Sequence, residues 1–110
     1  MISLVQFFKC LSDETRMNIT LLIHQQRELC VCELVAAMGG SQPKISRHLA
    51  QLRNCNILID ERRGQWVFYS MHPALPDWAT SILAQACDAQ VDTLSNYQHL
   101  LKTMKNRPVC

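Results

Sequence analysis

A mainly α-helical fold with one small β-hairpin, a winged helix-turn-helix, is what this sequence predicts. Three observations predict it. Apolar residues recur at helical spacing through most of the 110 residues. A Gly39-Gly40-Ser41 turn separates two short periodic stretches. After Asn56 the period becomes strand-like around a charged tip that holds Gly64. The length suits a single domain over residues 1–110, and 48% apolar residues can fill one modest core. A monomer of this size with a long exposed C-terminal helix is marginal, so a core shared by two copies is expected.

The elements follow in order. Ile2, Val5, Phe8 and Leu11 form a helical stripe over residues 2–11. Ser12 or Asp13 then caps a helix from about Glu14 to His24, with Met17, Leu21 and Ile23 as core candidates. Gln25 to Glu28 is a polar turn, and Leu29 enters a very short strand. A helix from Val31 to Met38 ends at the glycine pair, where positive φ costs little. Ser41 caps the next, from Gln42 to about Asn54, with Pro43 tolerated in its first turn and Ile45, Leu49 and Leu52 facing inward. Residues 57–59 and 66–71 form strands joined by the charged hairpin Asp60 to Gln65. Pro76 starts a long helix that runs to about Leu101, and residues 102–110 are a flexible tail.

Net charge is only +2, but its distribution is uneven. Between Ser41 and Trp66 lie Lys44, Arg47, Arg53, Arg62 and Arg63 against Asp60 and Glu61. From Pro73 to Leu101 the formal charges are Asp77, Asp88 and Asp92. The middle third is built to meet an anion, and double-stranded DNA is the natural partner. The helix after the glycine turn would offer Gln42 to adenine and Arg47 to guanine or phosphate, with Ser46 making a short contact. Lys44 and Arg53 would position the chain on phosphates. The wing tip, with Arg62, Arg63 and Gln65, would touch the adjacent backbone or minor groove. Solvated surface charge is the plain alternative; the order of turn, inward apolar face and basic hairpin argues against it.

Residues 1–8 lack the basic start of a signal peptide, and no apolar run approaches 18 residues, so a cytoplasmic protein away from membranes is expected. There the six cysteines are thiols or ligands rather than disulfides. Cys30 and Cys32 stand out. With Cys30 at the N-cap, Glu33 falls where a capping box places its acid. Both sulfurs then face unpaired N–H groups at the positive helix end, which favours thiolate, although Glu33 opposes it. Positions i and i+2 diverge by roughly 200° on a regular helix, so one ion can join them only if Cys30 lies outside the helical dihedrals. Two small buried hydrophobes are the plain alternative. No nucleophile elbow, phosphate loop or His-x-Glu zinc motif suggests an enzyme.

The run Leu29-Cys30-Val31-Cys32-Glu33-Leu34 resembles the arsenical resistance operon repressors of the ArsR/SmtB family. So do Ser41-Gln42-Pro43-Lys44-Ile45-Ser46-Arg47-His48-Leu49, the hairpin Gly64-Gln65-Trp66-Val67-Phe68-Tyr69, and Asp13-Glu14-Thr15-Arg16. The resemblance implies a homodimeric repressor that leaves operator DNA when As(III) or Sb(III) binds cysteine thiolates. Cys30 and Cys32 match the first two ligands of that pattern, and Val35 stands where the third cysteine is expected. Cys10 and Cys110 are the candidates for a third ligand; Cys55 reads as structural and Cys87 as interface packing. The zinc ligands of other branches are incomplete here, with Asp88, Gln90 and a lone His99. Two alternatives stay open: a repressor triggered by thiol oxidation, and an interaction module that does not bind DNA.

Overall fold

The structure, a computed structural model, describes residues 2–105 and 107. In chain order its elements are α1 (Leu4–Cys10), α2 (Glu14–Gln26), β1 (Glu28–Cys30), α3 (Val31–Met38), α4 (Gln42–Asn54), β2 (Leu58–Arg63), β3 (Trp66–Met71), α5 (Asp77–Ala89) and α6 (Val91–Lys102). The mainly helical class and the hairpin are as expected, and α3, α4 and β3 have the predicted bounds.

Local chemistry sets the helix starts. Ser3 Oγ accepts the Gln6 N–H at 3.2 Å ahead of α1. Asp13 Oδ2 accepts the Arg16 N–H at 2.9 Å ahead of α2, and that bond, with His48 and Arg16 nearby, holds the Asp13 carboxyl below its usual range. Ser41 Oγ accepts the Lys44 N–H ahead of α4. Gly39 and Gly40 take φ of 76° and 82°, the left-handed region that turns the chain between α3 and α4.

The central element is α2, buried on every side from Asn18 to Ile23. Around it pack Leu29, Leu34, Ile45, Leu49, Leu52, Ile57, Leu83 and Leu94. The sheet has order β1-β3-β2, all antiparallel, with Cys30 opposite Phe68 and Arg63 opposite Trp66. Leu29 is thus part of a true strand that pins the chain just before α3. The second strand continues through the charged residues to Arg63, so the turn is confined to Gly64 and Gln65.

Two expectations are corrected. The stripe in the first helix has Ile2 and Leu11 against the core, but Val5 and Phe8 are 66% and 52% exposed, and fully buried Phe7 takes the inner place. Phe7 meets the Trp78 ring edge-on at 5.3 Å, which rotates α1 relative to a simple inward stripe. The long C-terminal helix is two helices broken at Gln90, whose backbone leaves the helical region at φ −108° and ψ 22°. Gln90 Nε2 donates to the buried Asn18 Oδ1 at 2.8 Å. The break lets α5 lie along α2 while α6 turns back to cover α3. Lys102, first of the residues expected as a tail, closes α6. No described helix is long and apolar enough to cross a membrane.

Candidate functional site

Cys30 is the N-cap of α3, with extended dihedrals of φ −94° and ψ 168°. That conformation removes the divergence of a regular helix, and the Cys30 and Cys32 sulfurs face one another at 2.9 Å. Glu33, only 3% exposed, completes the cap by accepting the Cys30 N–H on Oε1 at 3.0 Å. Its other oxygen accepts Nε–H of Arg107, beyond α6. The sulfur pair borders a cavity of about 230 Å³ lined also by Gln42 at the first position of α4 and by Gln65, Trp66 and Val67 of the hairpin. The cysteine pair, the start of α4 and the hairpin therefore meet at one place.

At Cys30 the expected bias toward thiolate is reversed. Cys30 is 1% exposed, and burial, reinforced by the Cys32 hydrogen bond and the Glu33 charge, pushes its thiol up to about 12. The N–H of Glu33 pulls the other way and is outweighed. An ion entering here has to displace a proton from a firmly held thiol.

The remaining cysteines are dispersed. Cys10, at the end of α1, and Cys55, just past α4, are joined as a disulfide across 45 residues, against the expectation of free thiols. The sulfur of Cys10 is thus bonded to Cys55 and is not turned toward Cys30 and Cys32. Cys87 is buried against α2 and points at the Leu21 carbonyl, 3.8 Å away; burial and Asp88 raise its thiol above the ordinary range. Cys110 lies outside the described residues. Among the described residues, no three His, Cys, Asp or Glu side chains cluster as a metal site.

On α4, Ile45, Leu49 and Leu52 are buried while Gln42, Lys44 and Arg47 are exposed and Ser46 half-buried. Arg53 is drawn to the C-terminal end of that face, 3.0 Å from Asp60. Arg62 and Gln65 are exposed at the wing tip. Arg63 is different. Its guanidinium makes a two-pronged pair with Glu28 at 2.8 and 2.9 Å, contacts Glu61, and lies 4.8 Å from the centre of the Phe68 ring. It is folded back on the sheet because strand alternation puts it on the opposite face from Arg62, where it reaches across β3 to Glu28.

A model of the bacterial regulatory proteins of the arsR family matches residues 13–60, from the cap of α2 into β2. The arsenic resistance transcriptional regulator ArsR1 of Pseudomonas putida is 54% identical over 101 residues, 92% of this chain and 79% of that protein. The chain belongs to the arsR family. Regulator ArsR2 of the same organism is 51% identical over 99% of this chain and 95% of its own length. Among solved structures, HlyU from Vibrio cholerae superposes with a TM-score of 0.69 at 26% identity, covering 79% of this chain and 90% of that one. The arsR-family chain is accordingly a DNA-binding transcriptional regulator and not an enzyme.

Two features of this arsR-family site escape sequence reasoning, and a third is only partly legible. The Arg107 contact to Glu33 joins residues 74 apart, and nothing in local pattern marks it. The Cys10–Cys55 bond depends on how α1 lies across the end of α4. Arg16 is partly legible through the Asp13-Glu14-Thr15-Arg16 run. Its role is set in three dimensions, where Nε donates to the Cys10 carbonyl and Nη1 to Gln51 Oε1, both at 2.8 Å.

Proposed function

We propose that this chain is a homodimeric repressor that leaves its operator when As(III) or Sb(III) is captured by Cys30 and Cys32. The observation that carries the reading is the shared cavity, where both sulfurs lie beside Gln42 of the reader and Gln65 of the wing. An ion bonded to both thiolates at about 2.3 Å, a typical metal–thiolate length, pulls on the first turn of α3 and on that cavity wall. The 51–54% identity to two arsenic resistance regulators supports the choice of ion.

A trivalent centre with three sulfurs needs one more ligand. Cys110 is favoured over Cys10, whose sulfur is bonded to Cys55. Arg107 is held at Glu33, and the three residues that follow span at most about 11 Å. Dimerisation through α1 and α5 is supported by exposed Leu4, Val5, Phe8 and Trp78, of which Leu4 and Trp78 line an apolar cleft of about 540 Å³ together with Ile2 and Ile82. Gln42, Lys44, Ser46, Arg47, Arg53, Arg62 and Gln65 form the proposed DNA face, with Arg63 bracing the wing from behind.

To release DNA about 100-fold, the ion must bind the free dimer about 2.7 kcal/mol more tightly than the DNA-bound dimer. Arsenic-edge X-ray absorption paired with operator release tests this. Wild type should show three sulfur neighbours and release DNA; Cys110→Ser should show fewer sulfurs, and Cys10→Ser should match wild type. Normal release by Cys30→Ser and Cys32→Ser would overturn the reading.

A further inference from the structure

We propose that Cys10 and Cys55 form a reversible redox site, separate from the Cys30–Cys32 pair, whose closure stiffens the joint between α1 and the reader helix and tightens DNA binding. This rests on α4 being the DNA reader, and it does not depend on which ion is sensed.

The geometry is that of a site open to small reagents. Cys10 and Cys55 are half-buried at the rim of a surface cavity of about 300 Å³, lined also by Lys9, Arg16, Gln51 and Asn54. Their Cα atoms are 6.7 Å apart, within the range a disulfide spans. Each cysteine sits at the negative end of a helix, and Lys9 and Arg16 supply positive charge that offsets it. Cys30 contrasts in exposure, being only 1% accessible. Peroxide should therefore reach Cys10 and Cys55 before Cys30.

The chemistry balances with hydrogen peroxide as oxidant. One thiolate attacks a peroxide oxygen, the O–O bond breaks, and the departing hydroxide takes up a proton to leave as water. The resulting sulfenic acid is attacked at sulfur by the second thiol; the S–S bond forms and a second water departs. Two thiols lose two electrons and two protons in total. A dithiol reductant reverses the step, passing through a mixed disulfide and ending oxidised itself.

The consequence follows from what the bond joins. In the protein, Arg16 already bridges the Cys10 carbonyl and Gln51 by hydrogen bonds. The disulfide adds a covalent tie beside that strut, while α4 keeps its exposed Gln42, Lys44 and Arg47 face. A reader held in its presenting orientation loses less freedom on binding.

The test uses the full-length protein and a DNA duplex that it selects from a random pool, with no arsenite in any arm. Oxidised wild type should bind at least fivefold more tightly than reduced wild type. A non-reducing peptide map should show Cys10 bridged to Cys55 within one chain. Cys10→Ser and Cys55→Ser should bind equally before and after peroxide, and Cys10→Ala should repeat that result. The double variant Cys30→Ser/Cys32→Ser should keep the wild-type shift. Equal or weaker binding by oxidised wild type, a shift that survives in Cys10→Ser, or a different bridged pair would each overturn the proposal. Because arsenite is absent throughout, this failure is distinct from failure of the metalloid reading.

Discussion

Cys30 shows how one backbone angle turns a poor chelating spacing into a usable one. An extended N-cap lets its sulfur meet that of Cys32, where two helical positions would have separated them. The same burial that shapes the pair keeps the Cys30 proton in place. With the thiol near 12, its alkylation by iodoacetamide should rise about tenfold per pH unit from pH 7 to 10, with no plateau. An ordinary cysteine levels off above about pH 9. Mass spectrometry of the labelled peptide reads this rate, and a plateau below pH 10 would contradict the buried thiol. The linkage has a definite sign: folding raises this value from about 9, so its stabilising effect is complete below pH 9 and is lost as pH climbs toward 12. Glu33 binds the cap together. Glu33→Ala strands the buried Cys30 N–H and should cost about 1–3 kcal/mol in urea unfolding, whereas Glu33→Gln keeps an acceptor there and should cost less.

The pairing of α3 with α4 depends on a turn whose two glycines both hold positive φ. No atom lies within 4 Å of where a Cβ would stand at Gly40, so crowding is not the constraint. Gly40→Ala should lose roughly 1–2 kcal/mol of stability from backbone conformation alone, read as a lower denaturation midpoint. On α4, the proposed reader, the exposed cations are expected to make contacts of two kinds. Lys44→Ala should weaken binding to all sequences and lower the salt slope by about 0.9, while Arg47→Ala should relax specificity at one base pair at a cost of about 1–3 kcal/mol. A uniform effect from Arg47→Ala would place it on phosphate instead. The break at Gln90 is not legible in the sequence, because Leu83, Cys87, Val91 and Leu94 keep a helical period across it. The decision lies with Asn18, a buried amide on α2 that needs a partner.

At the scale of the whole molecule, the α1 surface separates fold from assembly. Phe7 is fully buried and Phe8 is 52% exposed, though they are neighbours in sequence. Phe8→Asp should leave the protomer folded by circular dichroism yet shift sedimentation toward a monomer. Phe7→Asp should unfold it. A Phe8→Asp protein that sediments as a dimer would move the interface away from α1. The same helix carries Cys10 to the end of α4, so the surface proposed for dimer contact and the DNA reader share one joint.

The sequence by itself determined the winged helix-turn-helix order, the bounds of α3, α4 and β3, and the cysteine pair at a helix start. These are local matters: caps, glycine turns and periodicity act within a few residues, and their chemistry is written in adjacent letters. Only the tertiary structure decided that Cys10 meets Cys55, that Arg107 meets Glu33, that Arg63 folds back on Glu28, and that Cys30, Cys32, Gln42 and the wing line one cavity. Each joins residues far apart in the chain. Their proximity comes from how helices and strands pack around α2, and local sequence pattern carries no term for that.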